Sequence, residues 1–395
     1  MRKAVIVDVV RSPFGRGRPG GALDGVHPVD LYAAVLNELV RRTGVDRRLI
    51  EDVITGCVIQ VAEQSGNIGR QAVLAAGFPE SVPAVTLDRK CGSAQQALDF
   101  AAQGVIAGAY DVVIAGGVEM MSLVPARVNR MGRDNEGPSF HLRYPEGLVH
   151  QGISAELIAA RWAIGREEMD RFALESHQKA AAAEDRGLTG RSIIPISVPR
   201  ADGISTLVER DEGLRRDTTI ERLLSLKPAF EDAVGRFPEL HWSVTAGNSS
   251  QVTDGAAAVL IVEESIAAKL GLRPRAAVTH FALAGGDPIM MLTAIMPATA
   301  KLLKRAGLTI DQVDAFEVNE AFASVVLAWI KETGADAARV NAFGGAIALG
   351  HPVGASGGRL LGNLLAALED TGGRFGLQTM CESGGMANAT LIERL

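Results

Sequence analysis

Three cysteines, Cys57, Cys91 and Cys381, stand far apart in the 395 residues, and two of them sit where a thiol can react. Cys91 follows the extended stretch Val82–Leu87 and precedes Gly92-Ser93-Ala94-Gln95, where the pattern predicts a helix start. A sulfur at a helix N-terminus faces unpaired N–H groups and the positive end of the dipole, which lowers its pKa and favours thiolate. A lone cysteine is otherwise most often core filler. His351 shifts that balance. It lies in Gly344-Gly-Ala-Ile-Ala-Leu-Gly-His-Pro-Val-Gly-Ala-Ser-Gly-Gly358, where Pro352 keeps it out of helical geometry and six glycines let backbone approach closely. Cys381 ends the strand Leu377–Met380 and opens Glu382-Ser-Gly-Gly; Asn319 ends another strand and leads into Glu320-Ala-Phe-Ala. An N-cap is the ordinary role of such an asparagine. Together the four make an acyl-transfer set. A thiolate attacks a carbonyl, His351 is its base, the second cysteine is an acid–base on carbon, and Asn319 with backbone N–H groups steadies an oxyanion.

The elements that must position these residues read as α/β. Ala4–Val10 and Asp52–Ile59 are strand-like, Val29–Arg42 has helical spacing, Gln95–Gly108 is a helix and Asp111–Ala115 a buried strand. From about Ser122 to Ser250 the rhythm is lost among prolines, irregular polar connectors and long charged helices such as Arg166–Arg186, which reads as an inserted lobe. The two ends echo each other. Gly44-Val-Asp-Arg-Arg-Leu-Ile-Glu-Asp-Val-Ile-Thr-Gly56 aligns without gaps with Gly307-Leu-Thr-Ile-Asp-Gln-Val-Asp-Ala-Phe-Glu-Val-Asn319, each after a helix opened near a proline (Pro28, Pro297). In each half a small-residue loop then opens a helix, and a strand follows (Asp111–Ala115, Phe375–Met380). The order suggests a duplicated α/β unit.

Composition closes other routes. Lys plus Arg is 40 against 46 Asp plus Glu, net −6, so there is no basic footprint for nucleic acid or an anionic membrane. The longest apolar stretch, Ala321–Ile330, is far short of the ~20 residues of a membrane span. No signal-peptide pattern follows Met1-Arg2-Lys3, and the scattered cysteines lack the close pairs of a zinc site, so a cytoplasmic, metal-free protein is expected. Gly15-Arg-Gly-Arg-Pro-Gly20 is a literal GxGxxG, but Pro19 and the wandering loop to His27 leave no helix N-terminus for a pyrophosphate.

Five segments resemble the thiolase family, the acetyl-CoA acetyltransferases and 3-ketoacyl-CoA thiolases. They are Asp88-Arg-Lys-Cys-Gly-Ser-Ala-Gln-Gln-Ala97, Ala115-Gly-Gly-Val-Glu-Met-Met-Ser122, Gly247-Asn-Ser-Ser-Gln-Val-Thr-Asp-Gly-Ala256, Asn319-Glu-Ala-Phe-Ala323 with Gly344–Gly354, and Cys381-Glu-Ser-Gly-Gly385, in family order along the whole chain. The resemblance implies a five-layer αβαβα fold of two similar halves, residues 1–121 with 251–272 and residues 273–395, plus a CoA-binding loop domain at 122–250. It implies thiolysis of a 3-ketoacyl-CoA, or the reverse Claisen condensation, with coenzyme A as co-substrate and no tightly bound cofactor. By the same resemblance Cys91 carries the acyl group and His351 is the base for it and for CoA. Cys381 protonates the departing enolate. Asn319 holds a water that completes one oxyanion hole with His351, and the N–H groups of Cys91 and Ser383 form the other.

Family patterns further place CoA against Arg215, Phe230, Ala246, Ser250, Ala321 and Phe322, and imply a homodimer or homotetramer, for which the apolar stretch Val112–Ala115 is a candidate buried strand edge. The chain departs from the family at Ala94, Asp88 and Ser383, each standing where glycine, asparagine and glycine respectively are frequent. Ser383 fits only if its φ stays negative. Gln151-Gly152 replaces the Met-Gly segment of acetoacetyl-specific relatives and leaves room for a bulkier acyl group. Two alternatives stand beside this reading. A decarboxylating ketoacyl-synthase-type enzyme needs a second histidine where Asn319 stands. A non-catalytic acyl-CoA or sterol carrier would have no use for Cys91, His351 and Cys381.

Overall fold

The computed structural model describes residues 2–200, 203–231, 235–238 and 240–395. The first part of the chain runs β1 (Ala4–Arg11), β2 (Gly15–Arg16), α1 (Pro28–Thr43), β3 (Asp52–Gly56), α2 (Ile68–Ala75), β4 (Ala84–Leu87), α3 (Ser93–Ala107) and β5 (Val112–Met120). The lobe holds α4 (Pro138–Arg143), α5 (Gln151–Arg161), α6 (Arg166–Asp185), the ribbon β6 (Ile196–Pro199) and β7 (Ser205–Val208), and α7 (Ile220–Leu224). The rest is β8 (Thr253–Glu263), α8 (Glu264–Lys269), β9 (Ala276–Gly285), α9 (Ile295–Ala306), β10 (Ala315–Val318), α10 (Ala323–Thr333), α11 (Ala346–Leu349), α12 (Ser356–Thr371), β11 (Phe375–Glu382) and β12 (Met386–Arg394).

The strands form one mixed sheet in the order β10-β11-β12-β9-β1-β8-β5-β3-β4, with β2 added beside β8. The two halves of the sheet meet where β1 pairs with β9. Both halves pack on one central pair of helices: α3 contacts β3, β5 and β8 but also β12, and α12 contacts β10 and β11 but also β1 and β8. Helices α1 and α2 cover the outside of the first half and α9 that of the second, which gives the expected five layers. The residues of β1 show how the sequence specifies this. Val5, Val7 and Val10 enter the outer core with α1, whereas Ala4, Ile6 and Val9 enter the central core with Leu361 and Leu364 of α12. Alternation slips once, at the register shift between Ile6 and Asp8, where a bulge absorbs the extra residue.

The internal echo is real in three dimensions. Helix α1 ends at Gly44 (φ 70°) and α9 at Gly307 (φ 67°), the left-handed position that glycine takes without a Cβ penalty. A short 3-10 turn follows each, then β3 and β10, at matching places in the gapless alignment. Two expectations need correction. Val112–Ala115 is not a sheet edge: β5 is hydrogen-bonded to β3 on one side and β8 on the other, so the outer strand of this half is β4, with Val85 exposed. The strand expected at Asp52–Ile59 stops at Gly56, because Val58 and Ile59 turn away to give their N–H groups to the buried Glu119 carboxylate at 2.8 and 3.1 Å. The lobe, although inserted in the first half, packs on the second: Ala155, Ile158, Ala159 and Met169 share a core with Val325 and Val326 of α10. Gly15–Gly20 forms β2 and a turn, with the next helix starting only at Pro28, so no dinucleotide cradle exists there. Among the described residues no helix is long and apolar enough to cross a membrane.

Candidate active site

Cys91 sits on a tight turn between β4 and α3. Asp88 shapes it: one carboxylate oxygen accepts from Lys90 N–H at 2.7 Å and the other pairs with Lys90 Nζ at 2.5 Å. Ser93 Oγ accepts from Arg89 N–H at 2.8 Å and donates to Lys90 C=O at 2.6 Å. Lys90 is thereby held at φ 50°, an unusual backbone for a non-glycine residue, immediately before the thiol. Asp88 thus does the turn-forming work that an asparagine would do. Ala94 fits inside the first turn of α3, buried, with Gly357 of α12 packed against it.

His351 belongs to the other half and reaches Cys91 because the loop after it enters between strand ends of the first half. A Cβ on Gly117 would lie 2.0 Å from Gly354 C=O, and one on Gly56 would lie 2.6 Å from it, so only glycines admit this loop. His351 N–H is held by Gln251 C=O at 3.1 Å and Thr253 Oγ1 at 3.0 Å. Its Nδ1 is 2.6 Å from Ser356 Oγ, which in turn donates to Pro352 C=O at 2.8 Å. With the hydroxyl proton committed to Pro352, Ser356 accepts from Nδ1–H, which leaves the Nε2 lone pair free to accept a proton. Nε2 is 3.5 Å from the Asn319 amide, whose Oδ1 has no hydrogen-bond partner among the described residues. Asn319 and the His351 loop are fixed to each other through Glu320. It accepts from Ser176 Oγ at 2.8 Å, Asn341 Nδ2 at 3.0 Å and Ile347 N–H at 3.1 Å, and Gly345 N–H closes the network on Ser176 Oγ at 3.0 Å.

Cys91, His351 and Ser383 line one cavity of about 640 Å³, and Cys381 is buried behind it, near enough for Cys91 to raise its pKa. Ser383 is not in the left-handed region; Gly384 (φ 90°) and Gly385 (φ 82°) take those conformations, so its N–H can serve without strain. The electrostatics reverse one expectation. Burial, with the Glu382 carboxylate next, pushes the Cys91 thiol up to about 12, outweighing the helix N-terminus. Burial and then the Arg359 charge bring His351 down to about 3, so the imidazole is neutral at pH 7. Burial and then Cys91 hold Cys381 well above the usual thiol range. Both sulfurs therefore rest protonated, and a neutral base faces the same cavity. A proton taken up at Nε2 would make it an N–H donor beside Asn319, suited to an oxyanion.

The expected CoA contacts separate into two groups. Ser250 lines the cavity and its N–H donates to Ala321 C=O at 2.9 Å. Phe322 lies edge-on to Phe230 at 6.4 Å, and Phe230 stacks on the wall residue His150 at 5.0 Å. Ala321 is buried behind Ser250. Arg215 and Ala246 are exposed and do not line this cavity. Sequence reasoning missed Ser356, Glu320, Glu382, His150 and Met291. The last is a cavity-wall residue at φ 44°. Only Ser356 left a usable trace, a hydroxyl in the same loop as the histidine.

Two family models match the chain: "Thiolase, N-terminal domain" over residues 4–265 and "Thiolase, C-terminal domain" over residues 272–394. Among curated proteins the chain is 45% identical to the steroid 3-ketoacyl-CoA thiolase FadA6 of Mycobacterium tuberculosis, covering 100% of this chain and 95% of that protein. It is 42% identical to a 3-ketoacyl-CoA thiolase of Aliivibrio fischeri, with both chains fully covered. Among solved structures, the Bacillus anthracis acetyl-CoA acetyltransferase superposes with a TM-score of 0.89 at 36% identity, over 100% of this chain and 99% of that one.

Proposed function

The chain belongs to the thiolase family and is an acyltransferase, and from that premise we propose how its own residues carry the reaction and on what kind of acyl group. Cys91 gives its proton to His351 Nε2, and the thiolate attacks the 3-keto carbon of a 3-ketoacyl-CoA. The oxyanion is held in one of the two donor sets, His351 Nε2–H with an Asn319-bound water, or the N–H groups of Cys91 and Ser383. The bond between C2 and C3 breaks, the acetyl-CoA enolate takes the Cys381 proton, the proton held on His351 returns to Cys381, and the acyl group remains on Cys91 as a thioester. CoA then enters as the second substrate, the neutral His351 takes its thiol proton, the CoA sulfur displaces Cys91 from the acyl group, and Cys91 recovers that proton from His351. Run backwards, the same steps condense two acyl-CoA molecules. The observation that carries this reading is the arrangement of His351: Nδ1 fixed by Ser356 and Nε2 turned to Asn319, in one cavity with Cys91 and Ser383.

We assign residues 122–250 as the lobe that holds CoA, between halves 1–121 with 251–272 and 273–395; Ser250, Phe230 and Phe322 support that placement best. An acyl group larger than acetyl is favoured by Gln151 and by the apolar Met121, Leu148, Val149 and Met291 on the cavity wall. The steroid thiolase relative points the same way. A homodimer paired along β4 is favoured by its edge, which has no strand partner among the described residues, and by exposed Val85, and a cytoplasmic setting by three unpaired thiols. The test is a panel of acetoacetyl-, longer-chain and polycyclic 3-ketoacyl-CoA substrates without added CoA. Intact mass should show an acyl adduct on Cys91, formed fastest with the bulkier members. Cys381→Ala should accept an acyl group from a simple acyl-CoA yet lose carbon–carbon cleavage. Full thiolysis by that variant would overturn the acid role, and an adduct on another residue would overturn the nucleophile.

A further inference from the structure

Glu382 follows Cys381 on β11, and the pleat turns its side chain to the opposite face, toward the nucleophile turn. It is fully buried, and neither carboxyl oxygen has a hydrogen-bond partner among the described residues. Its Oε1 presses on Gly92, the residue after the nucleophile: a Cβ there would lie 2.1 Å from it. The reaction sequence above gives Glu382 no task. A buried, unsatisfied carboxyl is costly, so its place against the reacting sulfurs calls for a reason.

The groups around it are few. Asp88, Arg89, Lys90 and Cys91 come from the nucleophile turn, Asp99 from α3, Cys381 from β11, and the Asn388 amide from β12. Asp88 is neutralised by Lys90. Asp99, buried, accepts from Thr390 Oγ1 at 2.6 Å. That leaves two carboxyls, Glu382 and Asp99, acting with one guanidinium, Arg89. The cluster is neutral only while one of the two carboxyls keeps a proton. Losing that proton puts an uncompensated negative charge beside both thiols.

Resting on the assignment of Cys91 as nucleophile, we propose that Glu382 is a positioning residue that works as a proton-held switch. Protonated, it lets Cys91 become a thiolate; ionised, it opposes that charge and slows acylation. It neither gives nor takes the reacting proton, which passes from Cys91 to His351 in both states. Burial, opposed by Arg89 and reinforced by Asp99, raises its carboxyl to about 8, so the switch lies just above neutrality.

The experiment follows acetylation of Cys91 by acetyl-CoA, by quench and intact mass, from about pH 6 to about pH 10, in the full-length wild type, Glu382→Gln and Glu382→Leu. The wild-type rate is expected to hold level below about pH 8 and then to fall by up to about tenfold per pH unit above it. Both variants should lose that fall and reach a plateau. Leucine removes two unpartnered buried oxygens, so this variant is expected to fold even if glutamine, which keeps them, does not. A wild-type rate that never falls, or a folded variant that keeps the wild-type fall, overturns the switch alone. No adduct on Cys91 at any pH overturns the nucleophile assignment, and the switch with it.

Discussion

Ser356 decides which nitrogen of His351 keeps a free lone pair. Its hydroxyl proton goes to Pro352 C=O, so its oxygen faces Nδ1 as an acceptor, at 2.6 Å. Ser356→Ala removes that acceptor in a site where the ring is already buried. We expect kcat for thiolysis to fall by about 10- to 100-fold with KM nearly unchanged, and Ser356→Thr to recover most of the loss, since it restores the oxygen. Equal loss in both variants would mean a packing role only. At this scale the sequence was most legible where residue type alone suggests chemistry: Cys91 and Asn319 do stand at strand-to-helix joints, whereas His351 lies between α11 and α12, and Cys381 lies inside β11, which runs on to Glu382. The direction of the Cys91 shift was not legible. The dipole is a local property that a sequence displays, whereas burial and the Glu382 charge come from β11, almost 300 residues away, and these dominate. Glu382 drew no reading of its own from the sequence for the same reason, since the groups it acts on lie in other elements.

At the scale of elements, the halves work because α3 and α12 touch almost backbone to backbone. A Cβ at Gly357 would lie 2.4 Å from Gln95 N and 3.0 Å from Ala94 C, and neither is a flexible side chain that could yield. Gly357→Ala must therefore push α3 away, and Cys91, on the turn that opens α3, moves with it. The expected cost is about 1–3 kcal/mol in denaturant unfolding, together with a loss of thiolysis larger than the stability change explains. Normal activity in a destabilised protein would show that the nucleophile turn is held independently of this crossing. Helix ends were legible here because they rest on short-range signals: Pro28 as the first residue of α1, Gly44 and Gly307 as left-handed caps. Strand limits and edges were not, since they depend on distant partners. β5 runs to Met120 because β8, more than 130 residues later, pairs with it throughout, and β3 ends early because Glu119 captures the N–H groups of Val58 and Ile59. The lobe was recognised as an insertion by its broken rhythm, but nothing in that rhythm said that its helices lean on the second half.

Taken whole, the molecule buries several carboxyl groups whose pKa values are raised, so its stability should depend on pH in an unusual sense. Asp99, Glu317 and Glu382 are each raised to about 8, mainly by burial. Each keeps a proton in the folded chain that the unfolded chain gives up near its ordinary value. Stability from this source is complete below that ordinary value and is lost as pH rises toward about 8. Buried His351 and His177, lowered to about 3 and about 4, act oppositely: the unfolded chain binds their protons first, so their contribution grows as pH climbs to the ordinary histidine range. Below about pH 6.5 the two sets offset each other, and above it only the carboxyls titrate. The urea midpoint should therefore pass through a broad maximum at or below neutrality and decline between about pH 6.5 and about pH 8.5. The slope has an upper bound of about 1.4 kcal/mol per pH unit for each carboxyl. Glu382→Leu should remove one carboxyl's share of the decline and, on the acid side, tip the offset toward the two histidines. A midpoint that holds level or rises across that interval would mean that these carboxyls are ionised in the folded protein, and that their buried charges are compensated by neighbours other than the arginines named here.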